Sequence, residues 1–114
     1  MPRNKKTRLV RHRPPAAVFK PAGVPARGLE RCVLPLDQYE AIRLADHEGL
    51  NQEEVAERLG VSRPTVSRML AEAHHTVGEA LVEGRALLIE GGPVSFAPPF
   101  GRGRRRRWRG GRTW

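Results

Sequence analysis

Residues 51–70, NQEEVAERLGVSRPTVSRML, decide the fold. Asn51 can cap a helix and Glu54, three residues on, can reach back to it, while Leu50 can staple onto Val55 across the first turn. Eight residues, Gln52 to Leu59, suffice for a short helix, and Gly60 tolerates the positive φ that ends it. Ser62 then caps a second helix beginning at Arg63, with Pro64 in the first turn, where a missing N–H does no harm. A three-residue joint turns the chain sharply, so Ala56 must be small where the next helix crosses it. Val61 and Val66 fill the angle, with Leu59 and Met69 behind them. This is the spacing of a DNA-binding helix-turn-helix.

Reading outward, an earlier helix follows Pro35, with Asp37 expected as its cap, Glu40 as the box partner and Gly49 as its stop. Tyr39, Ala41, Ile42, Leu44 and Ala45 give it an apolar stripe. Beyond the joint, Val66, Met69, Leu70, Ala73, Val77, Ala80 and Leu81 keep one face of the long helix apolar up to Gly84, and Gly78 weakens it by about 1 kcal/mol relative to alanine. The fold class expected is an all-α core: a three-helix bundle carrying the helix-turn-helix, with two short β-capable stretches, 31–34 and 86–90, flanking it and able to pair.

Of the ten prolines, eight lie at or before position 25 or at or after 93. Proline withholds a backbone donor and fixes φ, which argues against regular structure there. The expected organisation is a basic, Pro-rich arm over 1–28, the DNA-binding domain over 29–92, and a disordered Pro/Gly/Arg-rich tail over 93–114.

Charge follows the same division. The 114 residues carry a net +9. Residues 1–13 hold six basic groups and no acid, and residues 101–114 hold seven and no acid, so a mildly acidic centre lies between two basic ends. A polyanion is the natural partner for such ends, nucleic acid first and an acidic membrane surface second. No apolar run approaches the roughly 20 residues that cross a bilayer, and no signal-peptide core follows Met1, so no membrane partner is expected. The single cysteine, Cys32, forms no internal disulfide and reads as a small buried hydrophobe, in keeping with a cytoplasmic, nucleoid-associated location. The chain is too short for a large enzyme core.

On the long helix, about 100° per residue sets Pro64, Arg68, Ala71 and His75 opposite the apolar stripe, with Thr65 and Ser67 on the flanks and Arg63 nearer the core edge. Arginine can fork onto guanine O6 and N7, and serine can bond a base edge, so Arg63, Ser67 and Arg68 are the expected base contacts. Gln52, Ser62 and Thr65 suit the phosphate backbone, which positions without specifying. Arg102, Arg104, Arg105, Arg106, Arg107 and Arg109, with Trp108 and Trp114 among them, suit sequence-independent contact with phosphates and exposed bases.

Glu72, His75 and Glu79 share a helical face, but hydrated surface groups of this kind are far commoner than metal sites, so no metal or cofactor is expected. Asp37 with Glu40 and Asp46 with Glu48 are helix-end charges. No nucleophile–base set or phosphate loop is present, and the protein is not expected to be an enzyme.

Several stretches together carry a family resemblance: Phe19-Lys20-Pro21-Ala22-Gly23-Val24-Pro25, Glu40-Ala41-Ile42-Arg43-Leu44-Ala45-Asp46, Gln52-Glu53-Glu54, Gly60-Val61-Ser62-Arg63-Pro64-Thr65 and Ile89-Glu90-Gly91-Gly92. In these the chain resembles the domain-of-unknown-function 134 family, small prokaryotic proteins predicted to bind DNA through a helix-turn-helix like region four of sigma factors. The resemblance implies a transcription regulator. Asn51 stands where a serine cap is common in the family, and an arginine tail replaces the cysteine-rich tail or fused cofactor domain of some relatives, so no sensing role is carried over. The expected function is sequence-specific binding of duplex DNA, the third helix in the major groove and the tails on phosphates. Two alternatives stand beside it: an interaction module contacting RNA polymerase through Glu53, Glu54 and Glu57, or a non-specific RNA or nucleoid binder. One helix-turn-helix reads few base pairs, so a homodimer is expected, with its seam around Val77 to Leu81.

Overall fold

The computed structural model describes residues 7–96. Three helices form, the second and third where their caps place them. α1 spans Leu36–Ile42 and continues as a π-helical turn over Arg43–His47, α2 spans Gln52–Leu59, and α3 spans Arg63–Glu83. Ala41, Leu44, Val55, Ala56, Leu59, Val66, Met69 and Leu70 make one buried cluster among them. Fully burying a leucine or valine contributes about 1.5–3 kcal/mol.

An all-α core is not what the chain builds. Five strands join the helices in a mixed α/β fold: β1 (Arg8–Val10), β2 (Val18–Phe19), β3 (Arg31–Leu34), β4 (Ala86–Ile89) and β5 (Val94–Phe96). They form a two-stranded sheet of β1 with β5 and a three-stranded sheet ordered β2–β4–β3. The flanking stretches pair in parallel, Arg31 opposite Ala86 and Leu34 opposite Ile89, with all three helices in the connection between them. β2 adds antiparallel to the other side of β4, and β1 runs parallel to β5, Arg8 opposite Val94.

Strands two to four residues long are too short to show a period, and β1 and β2 lie among prolines, so local pattern hides them. In β1 and β3 the side chains nonetheless alternate: Arg8 and Val10 are buried and Leu9 is not, Cys32 and Leu34 are buried and Val33 is not. The sheet forms a second layer. Leu34, Ala73 and Ile89 are buried together, flanked by Leu36, Tyr39, Val77 and Leu87. The first half of α3 therefore packs on helices and the second half on the sheet.

The start of α1 also differs from expectation. Pro35 holds the cap position and no side chain caps the helix. Instead the Leu36 N–H donates to the Gly91 carbonyl at 2.8 Å, so a strand-end turn far along the chain satisfies it. Asp37 is buried and pairs with Arg8 of β1, Nε to Oδ2 3.4 Å. Glu40, 1 % exposed, accepts from Arg43 Nε and Nη2 at 2.9 and 3.0 Å and from the Arg11 backbone N–H at 3.4 Å. Burial disfavours the Arg43 charge, but its bonds to Glu40 and Glu48 outweigh this and raise its pKa. Gly49, at φ +78°, ends the π-helical turn, and Leu50 N–H closes back to Leu44 at 3.0 Å.

Candidate nucleic-acid interface

The joint between α2 and α3 has the expected local chemistry. Asn51 Oδ1 accepts from Glu54 N–H at 2.9 Å, and Glu54 Oε1 accepts from Asn51 N–H at 3.0 Å. Both bonds satisfy donors that the first turn of α2 would otherwise leave open. The arrangement also ties down Glu54, leaving Glu53 and Glu57 as the exposed acids of α2 with no such bond among the described residues.

At the far end Gly60 takes φ +74° and its N–H returns to the Ala56 carbonyl at 2.8 Å. Leu9 of β1 lies against it, its Cδ1 3.8 Å from where a Cβ would stand. The first sheet thus buttresses the turn itself, an arrangement with no local signature.

α3 opens on Ser62, whose Oγ accepts from Thr65 N–H at 3.4 Å and lies 2.9 Å from Thr65 Oγ1. Val66, Met69, Leu70 and Ala73 point into the core. On the other side Arg63, Ser67 and Arg68 are all exposed. Among the described residues neither arginine has a carboxylate within ion-pair distance, so both guanidinium groups keep their donors open to a partner.

Two expected contacts meet directly: Ser67 Oγ donates to Gln52 Oε1 at 2.8 Å. This bond spans the two helix starts. It leaves the Gln52 amide nitrogen as a donor and the Ser67 oxygen as an acceptor, two groups of opposite sense on one surface. Ser62 and Thr65 flank them and engage each other, so the three expected backbone contacts border the expected base contacts. Arg102, Arg104, Arg105, Arg106, Arg107 and Arg109 lie outside the described residues.

Farther along α3 the polar groups are taken up in local pairs. Gln38 Nε2 donates to Glu72 at 2.9 Å, His74 lies 2.7 Å from Asp46, and Arg85 donates to Glu79 at 2.7 Å. Glu72 thus bonds Gln38 and Glu79 bonds Arg85, with His75 Nε2 4.0 Å from Glu79, and no group of three candidate ligands comes together among the described residues.

The N-terminal basic run divides in a way composition could not show. Arg8 is buried with Asp37, whereas Arg13 is exposed and stacks its guanidinium over Phe96 at 3.7 Å from the ring centre. Arg11 is exposed beside it. Partial burial, then the nearby Arg43 charge, hold His12 below its usual pKa of 6.5.

The model for the family described as protein of unknown function DUF134 matches residues 1–96. A UPF0251 protein of Rhodospirillum rubrum is 52% identical over 98 residues, covering 86% of this chain and 68% of its own. One from Moorella thermoacetica is 50% identical over 105 residues, covering 92% of this chain and 70% of its own. One from Halothermothrix orenii is 47% identical over 97 residues, covering 85% and 72%. No solved structure matches the chain. With the match running from the basic arm through all three helices to the last strand, the chain belongs to the DUF134 family of proteins of unknown function.

Proposed function

We propose that the protein is a sequence-specific DNA-binding transcription regulator that sets the first half of α3 in the major groove. One observation carries the reading. Arg63, Ser67 and Arg68 stand exposed on one side of a helix whose other side is core, behind a capped joint, with Ser67 bonded to Gln52 at the start of α2. Two open guanidinium groups and an adjacent hydroxyl–amide pair have the donors and acceptors that guanine edges and phosphates need. The exposed Arg11 and Arg13, together with the arginines of residues 101–114, add phosphate contacts without sequence preference.

The test is binding-site selection from random genomic duplexes with the full chain, followed by titration of Arg68→Ala on the selected and on random duplex. Selection of a site is expected. Removing a guanine-reading arginine is expected to cost about 1–3 kcal/mol on the selected site and far less on random DNA. Failure to select any site, or equal losses on both duplexes, would overturn the assignment.

A further inference from the structure

We infer that the distal half of α3, with the adjoining edge of the three-stranded sheet, docks a second copy of this chain. The inference deepens the DNA-binding reading by naming a partner, and only its spacing argument rests on that reading.

α3 does not run out of apolar side chains where its burial ends. Leu81 and Val82 are 78% and 84% exposed. Leu81 also lines a groove of about 500 Å³ shared with Phe19, Pro21, Val77 and Leu87. Phe19 of β2 is about half exposed there, and β2 is an outer strand of its sheet. A contiguous exposed apolar patch of this kind marks a docking surface.

Three features select a second copy as the occupant. The patch holds both a projecting ridge, Leu81 and Val82, and a recess beside it, and a twofold contact requires such self-complementarity within one surface. The charges around it balance in sign, with Lys20 and Arg85 against Glu79 and Glu83, so two copies meet without net repulsion. They are also largely occupied: Lys20 Nζ donates to the Val24 carbonyl at 2.7 Å, and Arg85 pairs with Glu79 at 2.7 Å and Glu30 at 3.2 Å. Glu83 alone among these four has no such bond among the described residues.

The third feature is distance. Leu81 lies thirteen residues beyond Arg68 on one continuous helix, about 20 Å along the axis at about 1.5 Å per residue. Two copies meeting around Leu81 hold their Arg68 side chains at most about 40 Å apart, enough to span the roughly 34–36 Å between successive major grooves on one face of a duplex. A seam nearer Arg68 would cover the exposed face, whereas this one leaves it open in both copies.

Sedimentation equilibrium of the full chain without DNA tests the inference. The expected mass at tens of micromolar is twice the 12.7 kDa of the monomer. The double substitution Leu81→Glu/Val82→Glu is expected to weaken association at least tenfold while leaving the helical circular dichroism unchanged. A monomer at every concentration, or a dimer of undiminished strength in the double variant, overturns it. Should that variant misfold, Val82→Cys decides: oxidation is expected to cross-link it into a covalent dimer well above a Glu57→Cys control, and equal yields overturn the seam. Because none of these measurements contains DNA, a monomer that still selects a duplex site would sink the seam and leave the α3 reading intact.

Discussion

Gly92→Ala is the substitution whose cost the structure defines most closely. Gly92 sits at φ +101°, where an L side chain is strained. A Cβ there would stand 2.9 Å from Asp37 Oδ1, 3.0 Å from Pro35 Cβ and 3.4 Å from Leu36 N. None of these neighbours yields readily. Pro35 is a ring at the start of α1, Leu36 N–H is bonded to the adjacent Gly91 carbonyl at 2.8 Å, and Asp37 is buried against Arg8. The backbone alone costs about 1–2 kcal/mol, and displacing buried, bonded polar groups adds about 1–3 kcal/mol. A total near 3 kcal/mol corresponds to a fall in Tm of about 12–24 °C for a domain of this size. Gly23→Ala is the control, since Gly23 has φ +81° but nothing within 4 Å of its would-be Cβ, and about 1 kcal/mol of backbone strain is expected there. Thermal unfolding of the two variants followed by circular dichroism separates crowding from φ. Equal shifts would refute the argument that Gly92 is packed against the start of α1.

Other outcomes are expected at the ends of the chain and at the caps. Asn51→Ala removes the Oδ1 acceptor for the Glu54 N–H while keeping the backbone bond to Glu54, and should lower stability by about 1 kcal/mol, while Asn51→Ser should restore most of it in the same melt. Deleting residues 101–114 removes seven arginines. Affinity for every duplex should fall alike, and the slope of log affinity against log salt should flatten by up to about 6; an unchanged slope would rule out phosphate contact by that segment. Stability should fall as pH drops through about 6.5 toward 5, because His12 is held below 6.5 in the folded protein and the unfolded chain binds the extra proton first. His12→Gln should flatten that part of the profile, and an unaltered profile in chemical denaturation would assign the pH dependence elsewhere.

The helix-turn-helix was legible because its signals are local. Asn51 and Glu54 close a box over three residues, Gly60 carries the left-handed turn, Ser62 caps α3, and apolar spacing places Val66, Met69, Leu70 and Ala73 inward, all from chain within one helical turn of itself. The exposure of Arg63, Ser67 and Arg68 follows from the same periodicity. Asp37 and Glu40 show where local reasoning fails. Their spacing matches a capping box, yet Asp37 binds Arg8 and Glu40 binds the Arg11 backbone, both brought in by the tertiary fold, with Arg43 one turn along the same helix as the second partner of Glu40.

Three helices, the caps of α2 and α3 and the outward side of α3 are legible in the chain alone, since each depends on neighbours a few residues apart. Only the tertiary structure decided the two sheets, the burial of Arg8, the bond from Ser67 to Gln52 and the seat of Leu9 against Gly60. Strands of two to four residues have no ladder of their own. Their backbone donors and acceptors are satisfied only by chain from far along the sequence, β1 by β5 and β3 by β4, so nothing in their immediate neighbourhood announces them.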